Sequence, residues 1–174
     1  LVGTSLGGKV ALTAAASGSD AAHKLVMLCS SALQTARSRR VYRWFELIAT
    51  QVDGRFLGDL TAPFLFGETF HLQKSGVVDD IVRATKPSDE TRVLMQAQAR
   101  ALQAFDGASL CPLVTMPTLC LAGAEDTLTL PAEVERTVSR MPHAEHQCFP
   151  NAGHSLLLES APAFDRVLAF LQAR

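Results

Sequence analysis

The hexapeptide Gly3-Thr4-Ser5-Leu6-Gly7-Gly8 constrains this chain more than any other stretch. It follows an apolar pair, Leu1 and Val2, and runs into an Ala-rich segment with helical spacing that includes Val10, Leu12, Ala14 and Ala15. Strand, sharp turn, helix is the predicted order. Gly3 and Gly7 carry no Cβ, so strand and helix can pass close together while the serine between them takes a strained backbone conformation. Such a serine stands at the end of a sheet, above a helix N-terminus whose partial positive charge favours a developing oxyanion. The backbone N–H of Leu6 is then a candidate oxyanion donor. Taken alone, a Gly-x-Ser-x-Gly pentapeptide fits a glycine-rich turn with an exposed serine equally well. The far end of the chain has to decide.

After the first helix, Gly18-Ser19-Asp20 breaks the pattern, and Lys24 to Cys29 forms a short apolar run typical of a buried parallel strand. Strand, helix and strand in so few residues make a βαβ unit. From residue 34 to 106 the character changes. Arg37, Arg39, Arg40 and Arg43 lead into an amphipathic helical pattern through Tyr42, Trp44, Phe45 and Ile48. Phenylalanines follow at 64, 66 and 70, then a short helix over Val77 to Ala84, then a clear helix over Thr91 to Phe105 opened by Ser88-Asp89-Glu90. The sheet pattern returns at Thr118 to Ala122, closed by Gly123-Ala124-Glu125-Asp126. Pro131 opens a helix ending near Met141-Pro142, and Glu145 to Phe149 reads as a third, shorter strand before Pro150-Asn151-Ala152-Gly153-His154. Ser160 caps a last helix, Pro162 to Gln172. A mostly helical insertion between two strands of a parallel sheet implies a cap over their C-terminal ends, where such sheets bind ligands.

Bulk properties narrow the function classes. The 174 residues are 48% apolar and 19% charged with net charge −1, so no basic excess points to nucleic acid or an anionic membrane surface. No run of 18 apolar residues and no signal-peptide pattern is present, and the reading is of a cytoplasmic protein that binds neither nucleic acid nor membrane. Oligomeric state is not legible. Cys29, Cys111, Cys120 and Cys148 lack metal-type spacing, and the first, third and fourth sit in runs that read as buried strands. His143 and His146 are three apart, but Pro142 and the onset of a strand argue against a metal pair.

Asp126 lies just past one buried strand and His154 just past the next, so in a parallel sheet both project at the same edge as Ser5. Glu125 is a neighbouring competitor, and position after Gly123 favours Asp126. His23, His71, His143 and His146 do not follow a strand in this order. A serine hydroxyl is too weak an acid to attack an acyl carbon unaided, so an imidazole must take its proton, and a buried carboxylate must hold that imidazole.

On three stretches, Gly3 to Gly8, Pro117 to Asp126 and Asn151 to His154, the sequence resembles the α/β-hydrolase superfamily over nearly its whole length. The resemblance implies an α/β fold, a parallel sheet with flanking helices: residues 1–33 and 107–174 as the C-terminal part of the core, and 34–106 as a helical cap. The N-terminal strands are missing from such a fold, and the chain, opening with Leu in mid-strand, reads as the C-terminal portion of a longer protein. By resemblance Ser5 is the nucleophile, His154 the general base and then acid, and Asp126 the orienting carboxylate. The family's second oxyanion donor comes from a loop upstream of the nucleophile. No cofactor or metal is implied. The implied substrate is a small apolar acyl or ester compound, with esterases, enol-lactonases, C–C bond hydrolases and cofactor-free haloperoxidases as the types suggested by the cap. An acyltransferase and a non-catalytic member of the fold are the rivals. The arginines at 37 to 43 form either a solvated helix face or a grip on an anionic substrate.

Overall fold

The computed structural model describes residues 1–18, 22–85 and 88–173; Ser19 and Asp20 of the expected break lie outside the described residues. Among the described residues four strands form one parallel sheet: β1 (Val2–Thr4), β2 (Leu25–Leu28), β3 (Thr118–Gly123) and β4 (Ala144–Phe149), in spatial order β1-β2-β3-β4. Pairing is in register along the row, with Val26 facing Val2 on one side and Leu119 on the other, and Leu121 facing Gln147. Chain order and spatial order coincide. Each connection therefore crosses back over the sheet, and all four strands end at one edge.

The two central strands are buried on both faces, which is why they read as unbroken apolar runs. Leu25, Met27, Cys120 and Ala122 face Leu12 and Ala15 of α1 (Leu6–Ala16) and Val134 of α7 (Pro131–Val138). Val26, Leu28, Leu119 and Leu121 pack on the other side with Phe149, Leu156, Val167 and Phe170. Most of those partners come from α8 (Leu156–Glu159) and α9 (Ala161–Gln172). The Ser160 hydroxyl caps α9 by accepting from the Ala163 N–H, and the Lys24 ammonium donates to the Phe170 carbonyl at 2.7 Å, a cation at the helix's C-terminal end.

Strand β4 departs from expectation. It is as long as β3, six residues, and lies at the sheet edge, where residues on both of its faces reach solvent and Cys148 is exposed rather than buried. Helix α7 ends at Val138, three residues before the expected stop, and the single-turn α8 had no periodic signal.

Between β2 and β3 the described residues form five α-helices: α2 (Ala36–Gln51), α3 (Leu57–Leu65), α4 (Glu68–Gln73), α5 (Ser75–Ala84) and α6 (Asp89–Ala104). No strand occurs among the described residues of this stretch. A capping box starts α2, in which the Thr35 hydroxyl accepts from the Ser38 N–H while the Ser38 hydroxyl accepts from the Thr35 N–H. Helices α2 and α6 pack side by side. Glu46, 7% exposed, sits at that seam and accepts from Arg100 at 2.8 Å, Gln103 at 2.9 Å and Arg43 at 2.7 Å. These bonds, that of Arg100 first, hold its carboxyl down at about 2. A carboxylate depressed in the folded state stabilises the fold above its ordinary range and loses that contribution as pH falls through the depressed value. The urea stability difference between the native chain and Glu46→Gln should therefore be largest near neutrality and shrink steadily on acidification below about pH 4. A difference that does not change with pH would mean that the ion cluster contributes nothing.

Candidate active site

The turn after β1 is under backbone strain. Ser5 has φ 52° and ψ −117°, a region that costs a non-glycine residue on the order of 1–3 kcal/mol. The surroundings hold it there. Its N–H donates to the Leu28 carbonyl at 2.9 Å, and its carbonyl accepts from the Ser30 hydroxyl at 2.8 Å and the Gly8 N–H at 3.0 Å. Strand and helix meet closely because a Cβ on Gly3 would lie 2.2 Å from the Gly7 carbonyl oxygen. Leu6 opens α1, so its N–H belongs to the first turn, where no preceding carbonyl is in place to receive it.

Two other loops at the same sheet edge bring Asp126 and His154 together. They are laced by backbone bonds, Ala124 N–H to Phe149 at 2.8 Å and Glu125 N–H to Ala152 at 2.9 Å. The approach is so close that a Cβ on Gly123 would lie 2.3 Å from the Ala152 carbonyl oxygen. Asp126 Oδ1 accepts from the N–H groups of Leu128 and Thr129, both at 2.8 Å, and Oδ2 lies 2.8 Å from His154 Nδ1. Both side chains are buried, Asp126 at 2% and His154 at 5% exposure. The two backbone donors fix which carboxylate oxygen meets the ring. An acceptor at Nδ1 puts the ring proton there and leaves Nε2 as the basic nitrogen.

Ser5, Leu6 and His154 line one cavity of about 370 Å³. Its other walls are Tyr42 and Phe45 of α2, Leu65 of α3, Gln98 and Leu102 of α6, and Leu128, with Thr4 and Ser155 beside the serine and histidine. Ser5 makes no hydrogen bond to His154 here; free enzymes commonly hold such contacts loosely until substrate is bound. A larger groove, about 680 Å³, lies among Asp53, Arg55, Asp59, Arg83 and Arg92 and carries neither serine nor histidine.

The competing residues have other partners. Glu125 accepts from the Thr69 N–H at 2.8 Å and the Thr69 hydroxyl at 2.5 Å, tying the β3 loop to α4. Arg37 donates to the carbonyls of Thr127 and Leu128, Arg43 pairs with Glu46, and none of the four arginines lines the Ser5 cavity. Of the aromatics in this stretch, Tyr42 and Phe45 reach that cavity. Trp44 and Phe64 lie tilted against each other with centroids 4.7 Å apart, and Phe66 stacks on Phe70 at 5.4 Å.

Two residues were not singled out by sequence. Glu159 accepts from the N–H groups of Gly67, Gly153 and Ser155 at 2.8, 2.8 and 2.9 Å, clamping the loop on either side of His154. Its only sequence mark is a lone acid after Leu156-Leu157-Leu158. Cys29, at φ 47°, brings its thiol, the Asp126 carboxylate and the His154 ring within 4.8 Å of one another. The set does not suit a metal ion. Burial first, and Asp126 next, push the thiol far up and keep it protonated, and both Asp126 oxygens are already engaged.

In fold the chain is similar to an α/β hydrolase from a Medee basin deep-sea metagenome library, with TM-score 0.90 and 21% identity over 99% of this chain and 65% of that one. It is also similar to the enol-lactonase of Burkholderia xenovorans LB400, with TM-score 0.86 and 22% identity over 99% and 65%. A thermophilic esterase of Thermogutta terrifontis gives TM-score 0.79 and 22% identity over 98% and 63%. The chain thus spans about two thirds of the length of these structures. Among curated proteins, a 72-residue stretch, 41% of this chain, is 42% identical to 4% of the polyketide synthase ThaQ of Burkholderia thailandensis. The model of the Alpha/beta hydrolase family matches residues 1–167, and the chain belongs to that family.

Proposed function

We propose that this chain carries the catalytic triad of a serine hydrolase acting on a small carboxylic ester or related acyl substrate, with residues 34–106 as the cap over the site. The observation that carries the reading is the buried Asp126–His154 pair opening onto the same cavity as the strained Ser5. In this reading His154 Nε2 takes the Ser5 proton as Oγ bonds to the acyl carbon, and the carbonyl oxygen gains the negative charge. The Leu6 N–H and the α1 N-terminus stabilise that oxyanion. Collapse of the intermediate breaks the bond to the leaving group, whose oxygen receives the proton from His154. Water then attacks the acyl-enzyme, gives its proton to His154, and Ser5 departs with that proton as the acid is released. The apolar walls Phe45, Leu65, Leu102 and Leu128 suit a hydrocarbon acyl chain. Esterase and enol-lactonase among the fold relatives support the class.

Similarity to part of a polyketide synthase favours one second reading, acyl transfer from the same acyl-enzyme to an acceptor other than water. Quenching a reaction with p-nitrophenyl butyrate and weighing the protein tests both. A butyryl adduct at Ser5 is expected, lost in His154→Ala. Butyrate as the sole product supports hydrolysis, and butyryl esters or thioesters formed with an added alcohol or thiol support transfer. Nitrophenol release without any adduct, at equal rates in both proteins, would rule out the proposal.

A further inference from the structure

We infer that the Tyr42 hydroxyl is the specificity-determining donor of the Ser5 cavity, selecting acyl chains that carry an oxygen acceptor beyond the reacting carbonyl over plain alkanoyl chains. This rests on the serine-hydrolase reading and adds the substrate class. Tyr42 is 7% exposed, yet among the described residues its hydroxyl has no hydrogen-bond partner, although the ring forms part of the cavity wall. The hydroxyl oxygen is not sealed from solvent, so water can serve it in the free protein, and a hydrocarbon chain that fills the cavity displaces that water without a replacement unless the ligand supplies an acceptor. Tyr42 carries the most deeply buried hydroxyl of the wall. Ser5 and His154 are assigned to the chemistry, Thr4 and Gln98 are exposed, Ser155 is half-buried beside His154, and the other wall residues are apolar.

The phenol is held in place before any ligand arrives. The α2 capping box fixes the start of its helix. The Lys9 ammonium lies 5.9 Å from the Tyr42 ring centroid and is itself anchored by donating to the Ser31 carbonyl. Burial first, then the charge of Glu133, pushes the hydroxyl up to about 12, so it remains a protonated donor throughout the working range. An acyl chain with a keto or hydroxyl oxygen satisfies this donor, whereas a plain chain of equal length strands it. Discrimination by a polar group left unpaired runs in that direction.

The test compares p-nitrophenyl hexanoate with its 4-oxo and 5-oxo analogues, which share chain length and leaving group, in the native chain and in Tyr42→Phe. The native chain should favour at least one oxo ester by about 3- to 10-fold in kcat/KM, the range of one net hydrogen bond. In Tyr42→Phe that ratio should fall to about one. Each protein serves as its own control, because partial misfolding would scale both esters equally. No preference in the native chain, or the same preference in the variant, overturns the assignment while leaving the hydrolase reading intact. If no ester is turned over faster by the native chain than by Ser5→Ala, both readings fall together.

Discussion

Asp126→Asn is expected to lower kcat by about 10⁴-fold while leaving the fold intact, the scale seen when a triad carboxylate becomes an amide. The reason lies in how the two oxygens of Asp126 are used. Oδ1 accepts from Leu128 and Thr129, and an asparagine would keep its one carbonyl oxygen there. Its amide NH₂ would then face His154 Nδ1, 2.8 Å away in the native geometry, and force that nitrogen to accept. The ring proton moves to Nε2, and the base that Ser5 needs is gone. Asp126→Ala should be worse for stability, since it also strips two buried N–H groups of their acceptor. Steady-state kinetics with p-nitrophenyl butyrate, alongside near-UV circular dichroism, decides the matter. A loss below about 10-fold in Asp126→Asn would reduce Asp126 to a turn residue.

Gly3→Ala should cost the most stability of any single methyl added to the chain, more than about 3 kcal/mol or outright loss of soluble protein. The added Cβ would lie 2.2 Å from the Gly7 oxygen, 2.4 Å from the Gly7 carbonyl carbon and 2.6 Å from the Gly8 nitrogen, all backbone atoms. None can retreat cheaply, because the turn between them is pinned to Leu28 and Ser30. Gly7→Ala is the control. A Cβ at Gly7 meets nothing within 4 Å, and the residue lies inside α1, so alanine there should be neutral or stabilising by up to about 1 kcal/mol. Urea unfolding of the two variants gives the comparison. Equal effects would mean that the close packing of strand on helix is not what holds the turn.

That pair shows where the sequence was legible and where it was not. The hexapeptide announced a strand–turn–helix, and Ser5 with its left-handed φ sits where expected, but the motif's two glycines looked equivalent. The structure separates them: at Gly3 the missing side chain matters, while Gly7 contributes its backbone. The buried strands were readable because both faces of β2 and β3 are covered, and β4 was only half readable because an edge strand tolerates exposed residues such as Glu145, Gln147 and Cys148. Asp126 and His154 could be placed from topology alone, since parallel strands end at one edge. Glu159 and Tyr42 could not. Glu159 acts through three backbone N–H groups that leave no mark in a sequence, and Tyr42 reads as one more residue of an amphipathic helix, its hydroxyl without a partner among the described residues.

The central claim is that Ser5 is an activated nucleophile, and intact-mass detection of a fluorophosphonate adduct tests it most directly. The account predicts a single adduct on the native chain, absent from Ser5→Ala and strongly slowed in His154→Ala. An adduct that persists in Ser5→Ala, or labelling of the native chain no faster than of the His154 variant, would contradict it.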